Sequence, residues 1–417
     1  MITAWRFEFY NSAAFWGVLV AVVVLVRLLG ASARVKALAL LVLSSGLILA
    51  LPSVGPGGLA LFLGFAGATL WTARLLCRDS DGTGRRRLIA ILGILGVLGF
   101  LAFFKYWVVQ DVLRGRGFRA ATPSDHLFLI GVSYFSFKAI HTIVEAYRRS
   151  IPAVDGLVYL NYITFFPAFI SGPISRYPQF ATQMGPVERG TLRRDLIQGG
   201  ERIVHGLFKK LVLVKLTFPY VLGQGKALGA MDAWEVALGL YAYAFYFYFD
   251  FAGYTDMAIG AARLMGMELP ENFNRPFLQR NIRDLWSSWH MSLTNWLVDY
   301  IYWPLVRKLR NLEFFQARPL LLSIVGMNVT FLACGAWHGE ALHFILWGAY
   351  HGAGISLLMI YQRRKRSIRA PLVQRYFRSR TSRVVGSVVT FHFFALGLAL
   401  FVLDLGQLRE LLGALLR

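Results

Sequence analysis

The chain has little of what soluble and disulfide-stabilised proteins depend on. Its 417 residues include two cysteines, Cys77 and Cys334, too few for a disulfide framework or a cysteine-rich metal cluster. Charged residues make up 16% of the chain and hydrophobic residues 56%, whereas soluble domains have about 25% charged and about 45–50% apolar residues. The scarcity of charge excludes an ordinary soluble domain and indicates a polytopic membrane protein.

Acidic residues are also scarce, at 22 against 44 basic residues, which gives a formal net charge of +22. Such a charge is typical of nucleic-acid-binding proteins, but here the basic residues stand in short segments between apolar runs. The main groups are Arg34 with Lys36, Arg85–Arg87, Arg148 with Arg149, Arg193 with Arg194, Arg275–Arg283, Arg307–Arg310 and Arg363–Arg383. This distribution follows the positive-inside rule, so it predicts contact with membrane lipid and no nucleic-acid partner.

Ten apolar windows are predicted to span the bilayer, whose hydrocarbon core requires about 20 apolar residues per helix. They are Ala13–Leu29, Ala37–Pro52, Gly57–Leu76, Leu88–Trp107, Leu127–Tyr147, Val204–Leu222, Trp234–Met265, Pro319–Ala333, Leu342–Tyr361 and Val384–Val402. The first window carries Arg27 and no evident signal-peptide cleavage site, so it is predicted to be a span. Gly156–Ile170 and Leu293–Leu305 are too short or too interrupted and are predicted to be re-entrant or peripheral.

Charge placement orients these spans. With Arg34 and Lys36 in the cytoplasm, the N-terminus lies outside, the His338 turn approaches the outer side, and His290 belongs to a cytoplasm-facing region. One basic group is an exception to the positive-inside rule, because this topology places it on the outer side of the membrane. It consists of Arg114, Arg116 and Arg119.

One histidine lies at or near membrane depth between two apolar runs. His338 follows Trp337 in the segment Cys334–Gly339. Ionisable residues inside a membrane are costly and mark functional sites. An imidazole titrates near neutrality, which suits a general base acting on a hydroxyl. The alternative is a histidine that bonds between helices, as in other membrane bundles. No H-x-x-x-H, H-E-x-x-H or Cys/His cluster occurs, so no metal site is predicted.

A second histidine, His290, ends an amphipathic stretch. Trp286, Trp289, His290 and Leu293 have the spacing of one helical face. Such a face is also typical of an interfacial anchor. The spacing therefore leaves three roles open for His290: a base, a residue that orients a base, or an anchor.

Two carboxylates, Asp250 and Asp256, occur in or beside an aromatic span. Six residues correspond to about 600° of helical rotation, so the two do not share a face and a paired-carboxylate relay has little support. We expect each carboxylate to orient a histidine or to pair with Arg263 or Arg275.

Prolines interrupt a second apolar region at Pro167, Pro173 and Pro178. Non-helical backbone at membrane depth is tolerated only where it is buried in protein or lines a wet cavity. The prolines therefore predict a lined interior at this point of the chain.

Five motifs occur in the order found in membrane-bound O-acyltransferases. They are Ser171–Tyr177, Phe249–Tyr254, Pro270–Phe277, Trp286–Leu293 and Trp337–Gly339. The chain therefore resembles this family over Phe165–Gly352, and its hydropathy agrees over nearly the whole length. Within the family it most resembles the branch that transfers D-alanyl groups to teichoic acid, and next the alginate-type O-acetyltransferases.

Individual positions leave the acyl group open between these two branches. Three segments resemble the D-alanyl branch: Ser171–Ile174, Phe251–Tyr254 and Trp289–Leu293. Ser175, however, stands where that branch usually has an aspartate. Both branches usually place an arginine before the position of Asp299, and it is missing here. Tyr302–Leu305 resembles the acetylating branch.

The resemblance implies an all-α membrane fold, a ring of about ten to eleven transmembrane helices with re-entrant and amphipathic cytoplasmic helices around a central tunnel. One domain would cover residues 1–417. Its N-terminal helices would lie in 1–126, its motif-bearing core in 127–361, and a basic loop with the last helix in 362–417.

The resemblance also implies roles for single residues. His338 matches the catalytic histidine of the family and His290 its second motif histidine. The residues implied in substrate binding are Trp337, Asn274, Asp250, Trp289, Ser171 and Arg176.

The implied acyl donor is a thioester on the phosphopantetheine arm of a small acidic carrier protein at the cytoplasmic face, with acyl-CoA as the alternative. No tightly bound cofactor is expected. The acceptor would be a hydroxyl of an extracytoplasmic polymer, reached directly or through a partner transferase, and the location the bacterial cell membrane.

Two other functions compete with acyl transfer. A transporter or flippase would use intramembrane His, Asp and Arg as a pathway and is expected to show internal pseudo-symmetry, of which the sequence gives no sign. A non-catalytic scaffold of an envelope complex would use its histidines for packing only.

Overall fold

A computed structural model of the chain describes residues 12–28, 32–49, 55–78, 83–106, 109–110, 130–185, 189–368 and 370–416. Within these ranges the regular structure is helical, and the β-type pairing is an isolated bridge between Phe273 and Trp289. The predicted all-α class is confirmed. The predicted topology made an exception of three arginines, which it placed on the outer side of the membrane. These residues, Arg114, Arg116 and Arg119, are not among the described residues.

The α-helices are numbered in chain order. They are α1 Ala13–Val23, α2 Ala33–Leu49, α3 Gly55–Arg78, α4 Thr83–Lys105, α5 Val132–Tyr147, α6 Gly156–Thr164, α7 Tyr177–Thr182, α8 Leu192–Phe208, α9 Val214–Thr217, α10 Ala233–Leu264, α11 Ile282–Trp286, α12 Met291–Leu297, α13 Trp303–Leu309, α14 Glu313–Gln316, α15 Pro319–His338, α16 Leu342–Ser367, α17 Pro371–Arg378, α18 Arg380–Val402 and α19 Leu405–Leu415. Wider π-turns extend three of the runs, at Val24–Leu28, Lys209–Leu213 and Val298–Tyr302.

Among the described residues, five helices are long and apolar enough to cross a membrane: α3, α4, α15, α16 and α18. They coincide with five of the ten predicted windows, and Ala13–Arg27 forms a shorter apolar helix. The remaining spans stay predictions. The window Val204–Leu222, for example, lies partly in α8 and partly in the π-turn and short helices after it.

The chain divides into two compact units. Unit 1 comprises Met1–Leu207 with Tyr254–Pro270, and unit 2 comprises Phe208–Gly253 with Glu271–Arg417. The predicted single domain, with its segments 1–126, 127–361 and 362–417, stays a prediction.

Aromatic side chains form part of the core of unit 1. Phe135 of α5 lies with its ring centroid 5.1 Å from those of Phe62 and Phe65 of α3. Phe65 in turn lies 4.6 Å from Phe100 of α4. Edge-to-face and tilted rings at these distances are favourable, so α3, α4 and α5 pack through one set of phenylalanines.

The proline-interrupted segment of unit 1 is buried in protein, one of the two environments in which non-helical backbone is tolerated at membrane depth. The predicted lined interior stays a prediction. The polar backbone groups of the segment are bonded by side chains of other elements. The Ser171 N–H donates to the Tyr254 hydroxyl at 3.0 Å, and the Tyr162 hydroxyl donates to the Ser175 carbonyl at 2.8 Å. Gly172 leaves no room for a side chain, since a Cβ there would lie 2.2 Å from the Ala168 Cα.

A buried ionic network joins three elements of unit 1. Arg27 donates to Asp195 at 2.6 Å, and Arg263 lies 2.9 Å from the same carboxylate. Burial alone would raise the pKa of the Asp195 carboxyl, but hydrogen bonds from Arg27 and Thr191 and the two arginine charges hold that pKa below its ordinary value. The carboxylate is therefore ionised at neutral pH, and the network compensates the cost of burying Arg27.

A tight helical hairpin organises unit 2. The connection from α15 to α16 is short, and glycines let the two helices approach to backbone contact. A Cβ on Gly335 would lie 2.3 Å from the Phe344 carbonyl oxygen, and one on Gly348 would lie 2.4 Å from the Phe331 carbonyl oxygen. Small residues at such crossings are how membrane helices gain van der Waals contact.

Gly335→Ala is expected to destabilise the protein by about 1–3 kcal/mol, because the added methyl overpacks the crossing. Thermal unfolding in detergent measures the change. Gly96→Ala is the matched control, since Gly96 also lies within a span and a Cβ there meets nothing within 4 Å. Equal midpoints for Gly335→Ala and wild type would contradict the importance of the crossing.

Candidate active site

His338 is the last residue of α15, so the helix ends at the side chain of interest. The next residue, Gly339, is extended, and a Cβ there would lie 2.4 Å from the Phe344 ring. The close packing of this turn fixes where the imidazole lies. The sequence correctly placed His338 at a turn between two apolar helices.

Aromatic rings surround the His338 imidazole. Its centroid lies 4.6 Å from Trp337, 5.1 Å from Trp347 of α16 and 4.8 Å from Phe401 of α18. The side chain is nevertheless only half-buried. It is thus held in one orientation and is still accessible, as a residue that reacts with substrate has to be.

His290 is not part of a continuous helix, so the helical face proposed from the spacing of Trp286, Trp289, His290 and Leu293 is wrong. Helix α11 ends at Trp286, and α12 begins after His290, whose backbone is left-handed (φ 43°, ψ 51°). Left-handed conformations are uncommon for residues other than glycine and persist where surrounding contacts enforce them.

Asn272 enforces this conformation. Its side-chain oxygen accepts from the Ser292 hydroxyl at 2.6 Å, and its carbonyl accepts from the Met291 N–H at 2.9 Å. These bonds hold the residues directly after His290. The His290 side chain is buried, and its ring lies 4.7 Å from Phe251 of α10. The sequence pointed to Asn274 instead, whose side chain is exposed and whose N–H donates to the Ser288 carbonyl.

One aromatic cluster joins the two histidine positions within unit 2. Trp289 lies 5.6 Å from Phe247, Phe247 lies 5.6 Å from Phe401, and Phe401 packs on His338. A chain of three ring contacts therefore connects Trp289, the neighbour of His290 in the chain, with His338, on which Trp337 also packs. Sequence reasoning missed Phe401 and Trp347, because both come from other helices and no local pattern links them to His338.

Asp250 forms an ion pair with Lys210, and both side chains are buried. The expectation that Asp250 orients a histidine or pairs with Arg263 or Arg275 is wrong. Asp256, in unit 1, binds Arg202 at 2.6 Å, another partner that the sequence did not indicate. Pairing compensates the desolvation of a buried carboxylate, so Asp250 has a structural role whatever else it does.

The last two predicted substrate-binding residues lie in unit 1. Ser171 is buried, with its N–H bonded to Tyr254. Arg176 precedes the first turn of α7 and is half-buried. Their assignment to substrate binding stays a prediction.

Comparison with known proteins gives a family match over most of the chain. The profile of MBOAT, the membrane-bound O-acyltransferase family, matches residues 88–402. The chain is 31% identical over 284 residues to the teichoic acid D-alanyltransferase of Bacillus subtilis (strain 168), across 67% of this chain and 70% of that protein.

Two further relatives show similar identities. The chain is 32% identical over 302 residues to the probable alginate O-acetylase of Pseudomonas aeruginosa, across 70% of this chain and 56% of that protein. It is 30% identical over 247 residues to the teichoic acid D-alanyltransferase of Streptococcus thermophilus, across 58% of this chain and 59% of that protein. The chain thus spans little more than half the length of these two relatives.

A double substitution tests the structural role of the buried ion pair. Lys210→Met alone leaves an uncompensated carboxylate and is expected to lower the free energy of unfolding by about 3–5 kcal/mol. Lys210→Met combined with Asp250→Leu should recover most of that loss. Thermal unfolding in detergent measures both variants.

The exposed pair Lys226–Glu235 provides the matched control. Glu235→Gln should change the unfolding midpoint little, because exposed ion pairs contribute little stability. A double variant as unstable as Lys210→Met would show that Asp250 does more than neutralise Lys210.

Proposed function

The chain belongs to the membrane-bound O-acyltransferase family, and from this premise we propose that it transfers a D-alanyl group from a carrier-protein thioester on the cytoplasmic side to a hydroxyl of a cell-envelope polymer or of its carrier. The observation that carries the proposal is the half-buried His338, held by aromatic rings at the end of α15. Membership itself makes the protein a membrane-bound acyltransferase.

His338 acts as a general base in this proposal. Its neutral imidazole accepts the proton of the acceptor hydroxyl while the hydroxyl oxygen attacks the thioester carbonyl carbon. The carbon–sulfur bond then breaks, and the departing thiolate takes the proton from the imidazolium. The products are an ester and a free thiol. A general base of this kind contributes about 10²–10⁴-fold to a rate.

His290 is assigned a positioning role for the thioester. Its imidazole is buried against Phe251, and its backbone is fixed by the bonds that Asn272 makes to the next two residues. A rigidly held side chain next to the reacting groups lowers the entropic cost of aligning them. Trp289 and Trp337 supply aromatic walls for the same purpose.

The carrier is proposed to dock on the basic surface at the end of α13, formed by Arg307, Lys308 and Arg310. All three side chains are exposed, and an acidic carrier would be attracted to them over long range. Acyl-CoA is the alternative donor, and its phosphates would be attracted by the same charges.

O-acetylation of an exopolysaccharide is the second candidate. It is supported by the alginate relatives, which match this chain at much the same identity as the D-alanyltransferases do. Tyr302–Leu305 also resembles that branch. The chemistry at His338 is the same for both acyl groups.

His338→Ala is expected to lower transfer at least about a hundredfold, because the hydroxyl loses its base. The acid released by mild base from envelope polymers would be quantified in wild type, in a deletion strain, and in the deletion strain expressing the variant. His290→Ala should lower the product less. Loss of alanine identifies D-alanyl transfer, and loss of acetate identifies the second candidate.

His392→Ala is the control for loss of a histidine. His392 lies exposed on α18 and bonds its own helix at the Val388 carbonyl. Near-normal product from His338→Ala, at equal amounts of protein in the membrane, would exclude His338 as the base.

Reversal of the basic surface to glutamate should weaken carrier binding at least about tenfold, since steering and contact both depend on these charges. Binding of the purified carrier to protein in nanodiscs measures the effect. The control reverses an equal number of exposed charges on α16, at Arg363, Arg364 and Arg366. Equal loss in both variants would mean that net charge, and not the surface at the end of α13, attracts the carrier.

A further inference from the structure

Three nitrogen-bearing rings pack together in unit 2, and one of them, Trp347, also contacts His338. They are Trp286 at the end of α11 and Trp347 and His351 of α16. The His351 centroid lies 5.0 Å from Trp286 and 4.9 Å from Trp347, and the two indoles lie 5.6 Å apart. All three side chains are buried, and His351 has no exposed surface.

The nitrogens of these rings have no hydrogen-bond partner among the described residues. This holds for both imidazole nitrogens of His351 and for the indole N–H groups of Trp286 and Trp347. A buried polar group left unbonded loses its hydrogen bonds to water without replacing them, which is destabilising. Neighbours on the same helix are bonded, since His343 contacts the Leu400 carbonyl at 3.0 Å and the Tyr350 hydroxyl donates to the Phe393 carbonyl at 2.9 Å. Single unbonded atoms occur elsewhere, for example the hydroxyls of Ser44 and Ser136, but here four nitrogens of three touching rings are unbonded together.

The donors and acceptors among these nitrogens restrict which ligand group could form hydrogen bonds with them. An indole N–H only donates, whereas a neutral imidazole has one donor and one acceptor. The three rings therefore offer three donors and one acceptor, without a formal charge. A carboxylate or an ammonium group would be poorly compensated there. A neutral group that both accepts and donates, namely a secondary amide or a hydroxyl, matches the set.

We infer that Trp286, Trp347 and His351 form a subsite for a secondary amide of the pantetheine-type arm that carries the acyl thioester. The inference rests on the proposed function. The amide oxygen accepts from the indole N–H groups, and the amide N–H donates to the imidazole. The amide nearest the thioester is thereby fixed while the acyl carbon lies at His338.

The direction of α16 favours the donor arm over the acceptor hydroxyl. Trp347 contacts His338, and His351 lies one turn further along the helix, towards the basic run Arg363–Arg366. Basic runs lie on the cytoplasmic side, from which the thioester arrives in the proposed function. His351 is about 18 Å from Arg363 along the helix at about 1.5 Å per residue. A group approaching from that side reaches His351 before His338.

The test uses the full-length protein in nanodiscs and free D-alanyl thioesters of equal length as probes. One is the thioester of pantetheine, a second has an ester in place of the amide nearest the sulfur, and a third is the thioester of a plain alkyl thiol. Wild type is expected to use the pantetheine thioester with about tenfold higher kcat/KM than the alkyl thioester, mainly through KM.

Variants assign that preference to the three rings. His351→Leu and Trp286→Phe should reduce it severalfold or abolish it, while His351→Gln, which keeps a donor and an acceptor, should retain part of it. Tyr350→Phe is the matched control and should keep the full preference, because its hydroxyl is bonded to Phe393. His351→Gln and Trp286→Phe also serve if His351→Leu does not fold.

Two results would overturn the subsite. One is a wild type that uses all three thioesters equally, in which case the N–H groups face aromatic rings and bind no substrate. The other is a His351→Leu variant that keeps the full preference for the amide. A wild type that transfers from no thioester would instead overturn the proposed function itself.

Discussion

The close crossing of α15 and α16 is the constraint on which the candidate site depends. Lipid tails are as apolar as leucine, so helices in a membrane are held by packing and not by the hydrophobic effect. Gly335 and Gly348 allow this packing to reach backbone contact. The approach places Trp347 beside His338, and α18 adds Phe401 on another side. Without the crossing, His338 would be a mobile group at a helix end.

Several buried polar groups have a partner that compensates their desolvation. Asp250 is neutralised by Lys210, and Asn272 bonds the backbone and side chain that follow His290. Unit 1 follows the same rule, with Arg27 paired to Asp195 and the Ser171 N–H bonded to Tyr254. The rings of Trp286, Trp347 and His351 differ, because four nitrogens of three touching rings together lack such partners among the described residues.

Much of the fold could be predicted from the sequence, because hydropathy reports directly on helices that face lipid. The windows at Pro319–Ala333 and Leu342–Tyr361 became α15 and α16, and the turn between them carries His338 as expected. The helical face proposed for His290 failed for a local reason. Periodicity assumes a continuous helix, and a left-handed residue enforced by Asn272, 18 positions earlier in the chain, interrupts it.

The partner of Asp250 could not be found from the sequence either. Lys210 lies 40 positions away, and several arginines were nearer. The aromatic residues around His338 were hidden for the same reason, since Phe401 comes from another helix. The composition indicates that a buried charge has a partner and that aromatic side chains pack together. Which residues come into contact depends on how the helices pack.

The most direct test of His338 as a general base is to determine whether it ever carries the acyl group. Reconstituted protein would be mixed with a thioester labelled in the acyl group, without acceptor, quenched within one turnover, and its His338 peptide measured by mass spectrometry. Direct transfer predicts an unmodified peptide, with label leaving the donor only when an acceptor hydroxyl is present. A labelled His338 that loses its label on addition of acceptor would contradict the base role and make the imidazole a nucleophile.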